Sequence, residues 1–423
     1  MKKYFAKLIA LPAVAVLLFL QQGCVKDSCT KTYTYTYYQP VYKTREEVRA
    51  NIKSNSPKPI VNPGKIYIKD NYIFLNEVDK GIHVIDNSNP ATPKNIAFID
   101  LPGNVDIAVK DNIMYADFYM DLVAIDISNP QNVRVTKFVD NVFPERIYYG
   151  YSVDAAKGVV CDWIKKTETV KQDCNTGSAV VLNYPGMLFT TADAGLAKAS
   201  PGASPVGISG SLARFALIGD YLYTVSTDNL NVISLTTPSS PVFNNKATIG
   251  NWHIETIYPF KDKLFIGSNN GMYVYGLQNP AAPAKISEFT HARACDPVIA
   301  DNNYAYITLR TGSGCLGIDN DLEIVDITNL GAPVLKKTYP MTNPHGLSKD
   351  GDLLFICDGD DGLRIYNGAD PYAIVLLKQF KLPEANDVIA FNHIALVIAK
   401  DGLYQYDYTT ATDIKLISKI SLQ

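Results

Sequence analysis

Six ionisable side chains set the chemical question in this sequence: Asp106, Arg214, Glu255, Asp296, His345 and Asp387. Each stands at the same place in a different copy of a repeated pattern, at or one residue after the opening of a short apolar strand. Groups of both signs converging on one point would bind a small polar ligand or a cation. A histidine among carboxylates and a guanidinium would also serve acid–base chemistry, provided that the groups come within hydrogen-bond reach. The plainer alternative is a ring of polar residues that wets a channel and holds no ligand. The sequence has no Gly-x-Ser-x-Gly elbow, no His-Glu-x-x-His and no phosphate-binding loop. The histidines, His83, His253, His291, His345 and His393, lack metal-ligand spacing. His83 lies inside an apolar strand, where a structural role is expected.

Two further clusters bear on chemistry. Asp358-Gly359-Asp360-Asp361-Gly362 crowds its carboxylates into one short stretch. Its spacing departs from an EF-hand, which needs a longer ligand ladder and a closing Glu. It reads as a polar turn or, as the weaker alternative, a calcium (Ca2+) site; no other cofactor is expected. The cysteines other than Cys24 are Cys29, Cys161, Cys174, Cys295, Cys315 and Cys357. Without Cys-x-x-Cys spacing they do not form a structural zinc pattern. Cys161 with Cys174, and Cys295 with Cys315, are close enough in sequence to clip local loops. Cys295 opens a strand and Cys315 follows the end of the next, ends that antiparallel pairing brings together.

The elements that must position these groups follow an address. Lys2, Lys3 and Lys7 precede an apolar run from Leu8 to Leu20. That fits the core of a signal peptide and is short for a membrane-spanning helix. Leu20-Gln21-Gln22-Gly23-Cys24 resembles a bacterial lipobox of the looser Bacteroidetes type. The resemblance implies removal of residues 1–23 and lipidation of Cys24, and several acyl chains anchor stably. Residues 24–63 then read as a tether. Within it Thr32 to Tyr38 alternates with period two, as a tether or as a strand added to a sheet edge. Thr44 and Glu47 have capping-box spacing, which predicts a short helix through about Ile52. The prolines Pro57, Pro59 and Pro63 mark the boundary of the main domain, residues 64–423.

From Gly64 onward one phrase recurs: an apolar strand, an acidic or small residue, then a turn ending in proline. Gly81-Ile82-His83-Val84-Ile85-Asp86 runs into Asn89-Pro90, and Asp121-Leu122-Val123-Ala124-Ile125-Asp126 runs into Asn129-Pro130. Degraded copies end at Thr237-Pro238, Asn279-Pro280, Asn329-Leu330 and Asp370-Pro371, and a last copy, Gly402 to Asp407, lacks the proline. Proline stops the strand and starts the turn because it fixes φ and donates no ladder hydrogen bond. The marker residues are Asp86, Asp126, Ser234, Gly276, Asp326, Asn367 and Asp407. They recur at roughly 40-residue steps, the period of four-stranded propeller blades. The second unit, for example, divides into strands at Val105–Lys110, Ile113–Phe118, Leu122–Ile127 and Arg134–Val139. One step, from Asp126 to Ser234, is 108 residues. Val159 to Trp163 inside it looks like a strand of a degenerate extra blade, and an irregular insertion covers about residues 165–210. The fold expected is all-β: a propeller of eight blades, seven clear and one degenerate, with seven blades as the alternative. The first strand of each blade lines the channel, so the six ionisable residues gather at one mouth.

His83-Val84-Ile85-Asp86 and Leu322-Glu323-Ile324-Val325-Asp326-Ile327 resemble the repeat of the LVIVD-repeat proteins. That resemblance implies a β-propeller lipoprotein, an outer-membrane location on the periplasmic or cell-surface side, and a binding surface. It also implies the Cys295–Cys315 pairing. It carries over no catalytic residue. The net charge of −3 offers no basic field, which removes the main driving term for nucleic-acid binding. The expected partners are a membrane, through the N-terminal lipid anchor, and a protein, peptide or glycan held by the propeller. The rival function is an envelope hydrolase or lyase with its site in the funnel.

Overall fold

The computed structural model describes residues 30–144, 155–173, 208–250, 254–291, 297–311 and 320–422. Chain contacts divide them into two units, a long two-stranded ribbon and a β-propeller. In the ribbon, Thr30–Lys43 pairs with Val159–Asp173. Thr34 and Thr169 face each other across it with hydroxyls 3.0 Å apart.

The propeller has seven blades among the described residues, each a sheet of four consecutive antiparallel strands. The inner strands, from blade 1 to blade 7, are Pro63–Lys69, Ile107–Lys110, Phe215–Ile218, Ile254–Phe260, Val298–Ala300, Leu347–Asp350 and Asp387–Phe391. Among the described residues the long step forms no eighth blade, and the count is seven. Val159–Asp173 finds its pairing partner in the Tyr/Thr strand Thr30–Lys43, so the extra residues build the ribbon instead of another blade. Elsewhere the sequence boundaries hold closely: Ile113–Phe118 and Arg134–Val139 are strands as read.

Every blade is made by the same local chemistry. Tight hairpin turns between first and second strands need a left-handed residue, and Asp70, Asp111, Lys261, Gly219 and Gly351 supply it. Each third strand meets the fourth with a β-bulge at the same place, as between Val84 and Ile85 or between Ile324 and Val325. That bulge sharpens the blade's twist. The residue after the third strand then caps the turn. Asp86, Asp126 and Asp326 each accept the amide, 2.9 Å away, and the hydroxyl, 2.6 Å away, of the Ser or Thr two residues on. These bonds hold the three carboxyls below their ordinary range.

The proline of the phrase has a second use. Its carbonyl accepts a bond from the preceding blade: Tyr115 to Pro238, Tyr223 to Pro280, Tyr339 to Pro371. Ser287 does the same to Leu330, which stands where the other blades have proline. Blade 7 closes on blade 1 in this way, with Gln405 and Ser418 donating to Pro90 and an apolar layer of Ile66, Ile73, Leu396 and Ile398 beneath. Among the described residues no strand is exchanged between the ends of the array.

The helix predicted from Thr44 and Glu47 spans Arg45–Arg49 and has the full capping box. It buries Val48 in the core shared by blades 1 and 2, and Arg49 bridges Asp121 and Asp140. Lys53–Asn55 adds a fifth strand to the outer edge of blade 1.

Candidate functional site

Inner strands begin at one end of the channel, and their first residues meet there. On the side of blades 1 to 3 the charges are consumed by the fold. Lys65 and Asp106, 3% and 2% exposed, form an ion pair of 2.8 Å. Asp106 Oδ2 also accepts the Arg214 amide at 2.6 Å, and Oδ1 accepts the Ile107 amide at 2.8 Å. Asp117 Oδ1 holds the approach to this strand by accepting the amides of Val105 and Asp106. Burial pushes the Lys65 ammonium down and Asp106 pulls it back. Asp106 is thus a knot joining three blades, and Arg214 contributes its backbone to it. Lys65 shares the register of Asp106 in the repeat, which is the signal for it in the sequence.

A second feature fills the channel itself. Ile208–Ser209 pairs with the free inner edge of Pro63–Lys69, Ile208 opposite Ile68 and Ser209 opposite Tyr67. The chain therefore runs along the channel wall toward the beginnings of the inner strands. Ser211 Oγ accepts the Leu347 amide of blade 6 at 2.6 Å, and the Ala213 carbonyl accepts the Ile257 amide of blade 4 at 2.7 Å. Ser211, Leu212 and Ala213 are buried. The described end of the stretch read as an irregular insertion is a short strand, Ile208–Ser209, on the inner edge of blade 1, and its composition gave no strand signal.

The mouth toward blades 4 to 6 is different. Arg310 follows the second strand of blade 5, Tyr304–Leu309. Glu255 lies within its electrostatic range, and Arg310 in turn acts on His345. His345 is bound through its backbone: its carbonyl accepts Thr308 Oγ1 at 2.7 Å and its amide donates to Cys357. Burial, with the Arg310 charge added, lowers His345 to about 3, so its ring is neutral at ordinary pH. Asp387 is buried and accepts the Val388 amide at 3.0 Å. Gly346 makes room for it, since a Cβ there would sit 2.2 Å from Asp387 Oδ1. Of the expected ring, then, Asp106, Arg214 and Asp387 open strands that the fold itself secures. Glu255 and His345 stand with Arg310, and Asp296 lies outside the described residues. Arg310 escaped the sequence reading because it ends a second strand, whereas the alignment followed the first strands.

The acidic turn is held by cations of the chain. Asp358 accepts the amides of Thr342 and Asn343 and pairs with Arg364, while Asp361 pairs with Arg364 and Lys381. Lys381 and Thr342 hold Asp361 down to about 2. Its carboxylates thus already have partners, as a polar turn requires. Among the described residues no three His, Cys, Asp or Glu gather as metal ligands. His83 is fully buried and hydrogen-bonds Glu77 at 3.0 Å, a structural placement. Cys24, Cys174, Cys295 and Cys315 lie outside the described residues, so both expected disulfides reach beyond them; Cys357 is buried. Among the described residues no helix is long and apolar enough to cross a membrane.

The model of the LVIVD repeat matches residues 63–97, 103–139 and 293–341, in blades 1, 2 and 5. The chain therefore carries LVIVD repeats in a seven-bladed propeller. Among solved structures it is similar to a protein from Lactobacillus plantarum, with 11% identity and a TM-score of 0.53 over 85% of this chain and 97% of that one. It is also similar to the periplasmic gluconolactonase of Pseudomonas aeruginosa, with 11% identity and a TM-score of 0.51 over 88% and 96%. A computationally designed protein, Ika8, gives 10% identity and a TM-score of 0.51 over 86% and 89%. At these identities the likeness is one of fold. No curated protein matches the sequence.

Proposed function

We propose that this protein is an exported lipoprotein whose propeller binds a protein, peptide or glycan at its mouth. Lipid on Cys24 holds it in the outer membrane, on the periplasmic or cell-surface side, and Cys161–Cys174 and Cys295–Cys315 close as disulfides in that oxidising setting. The N-terminal charge, apolar run and Gly23-Cys24 support the anchor. The observation that carries binding over catalysis is His345. A histidine lowered to about 3 holds no proton to donate near neutral pH and is a poor base. The competing envelope hydrolase or lyase would draw on His345 with Asp296, Glu255 and Arg214, and of these His345 is the group whose lowered value counts against it.

The test uses the full chain expressed in a Gram-negative host. Cys24→Ser should move it from the membrane to the soluble fraction. Peptides, glycans, divalent cations and chelator are then screened by thermal shift, since a ligand of the native state raises the melting temperature. The reading expects a peptide or glycan to raise it without being altered. Turnover of an ester, lactone or glycoside that His345→Ala abolishes would replace it with the enzyme.

A further inference from the structure

We propose that Arg310 anchors a carboxylate-binding site at the propeller mouth, fitted to the C-terminal carboxylate of a peptide. The proposal rests on the binding reading above and names its ligand chemistry.

Arg45, Arg49, Arg134 and Arg364 each meet a carboxylate within the fold. Arg310 does not. It is partly buried, and its Nε, like those of Arg49 and Arg364, is buried with no hydrogen-bond partner; unlike those two it has no ion pair with a described carboxylate. Its charge has Glu255 within electrostatic range but no hydrogen bond from its Nε, so part of its bonding capacity is left for a ligand. Packing alone would be served by an apolar residue.

The place is also built. Thr308, two residues before Arg310, is tied to blade 6 through the His345 carbonyl at 2.7 Å and to its own inner strand through the Pro297 carbonyl at 3.2 Å. Arg310 thus leaves a fixed strand end beside His345, whose neutral ring can donate or accept one hydrogen bond. The terminal nitrogens of a guanidinium match the two oxygens of a carboxylate. Charge selects between anions. Glu255 lies within electrostatic range of Arg310 and repels a dianion more than a monoanion. A carboxylate is favoured over phosphate on that ground.

The test titrates the full chain with acetyl-Ala-Ala bearing a free carboxylate, with its C-terminal amide, and with inorganic phosphate, followed by thermal unfolding. The free acid should raise the melting temperature in a saturable way, above phosphate, and the amide should not. Arg310→Met should unfold, without ligand, at or above the wild-type temperature and lose the response to acid. Arg310→Lys keeps the charge but not the fork, and should need at least tenfold more acid. Equal responses to acid and amide, a larger response to phosphate, no response to acid, or an unimpaired response in Arg310→Met would each overturn the site. So would a ligand-free Arg310→Met that is clearly destabilised. If another peptide or glycan still shifts the protein, only the carboxylate site has failed. Substrate turnover would sink the binding reading itself.

Discussion

Asp106 shows how one side chain can look functional in a sequence and serve the fold. Its two oxygens are engaged by Lys65, Arg214 and Ile107, and both members of the ion pair are nearly inaccessible. Removing one partner of such a pair leaves the other buried and uncompensated, at a cost of about 3–5 kcal/mol. Lys65→Met should therefore lower the denaturant midpoint strongly. Lys65→Met with Asp106→Asn should recover part of the loss, because Asn carries no charge and its one carbonyl oxygen still accepts one of the two backbone amides that Asp106 holds. A double-mutant cycle by urea unfolding measures this. His345 makes a pH prediction. Its folded value, about 3, lies below its ordinary 6.5. Between those values the unfolded chain holds a proton that the folded chain does not. Its contribution to stability is complete above pH 6.5 and falls as pH drops, by at most about 1.4 kcal/mol per pH unit. Unfolding curves from pH 7 to pH 4 should be less steep in pH for His345→Asn than for the wild type. Parallel curves would show that the ring titrates as it would in water.

Strands and turns carry the next level of the account. The capped turn after each third strand explains the repeated Asp-x-Ser or Asp-x-Thr. The bond from the preceding blade explains why a carbonyl must sit where the prolines are. The inner strands of blades 6 and 7 meet where the Gly346 amide donates to the Asn386 carbonyl at 2.9 Å. A methyl group at Gly346 collides with both the side chain and the backbone of Asp387. Gly346→Ala should cost about 1–3 kcal/mol by the same urea assay; an unchanged midpoint would mean that the two strands part easily. This level was also the most legible in sequence. Alternating apolar strands, Asp-Asn hairpin turns such as Asp111-Asn112, and the Thr44–Glu47 capping box are local signals, so their elements fall where expected. Pairing between distant segments is not local. Nothing in Val159–Asp173 announces Thr30–Lys43 as its partner, and nothing in Ile208 to Ala213 announces the wall of a channel. The candidate site divided in the same way. Glu255 and His345 followed from register, but Arg310 comes from a strand end that register did not sample.

At the scale of the whole propeller, seven blades close through one seam, where blade 7 meets Pro90 of blade 1. The channel that seven inner strands enclose is then taken up by the chain itself, along blade 1 and across to blades 4 and 6. On the reading proposed above, a ligand would meet the protein at the mouth, beside Arg310, Glu255 and His345. That crossing, from blade 1 to the start of the inner strand of blade 6, is the central claim. Hydrogen–deuterium exchange of the full chain, wild type against Ser211→Ala, tests it most directly. The Leu347 amide opens an inner strand of blade 6, far along the sequence from Ser211, and bonds the Ser211 hydroxyl. The account predicts slow exchange at Leu347 in the wild type and at least tenfold faster exchange in Ser211→Ala, with Val388 unchanged. Fast exchange at Leu347 in the wild type, or slow exchange in both proteins, would contradict it and return the channel to the ligand.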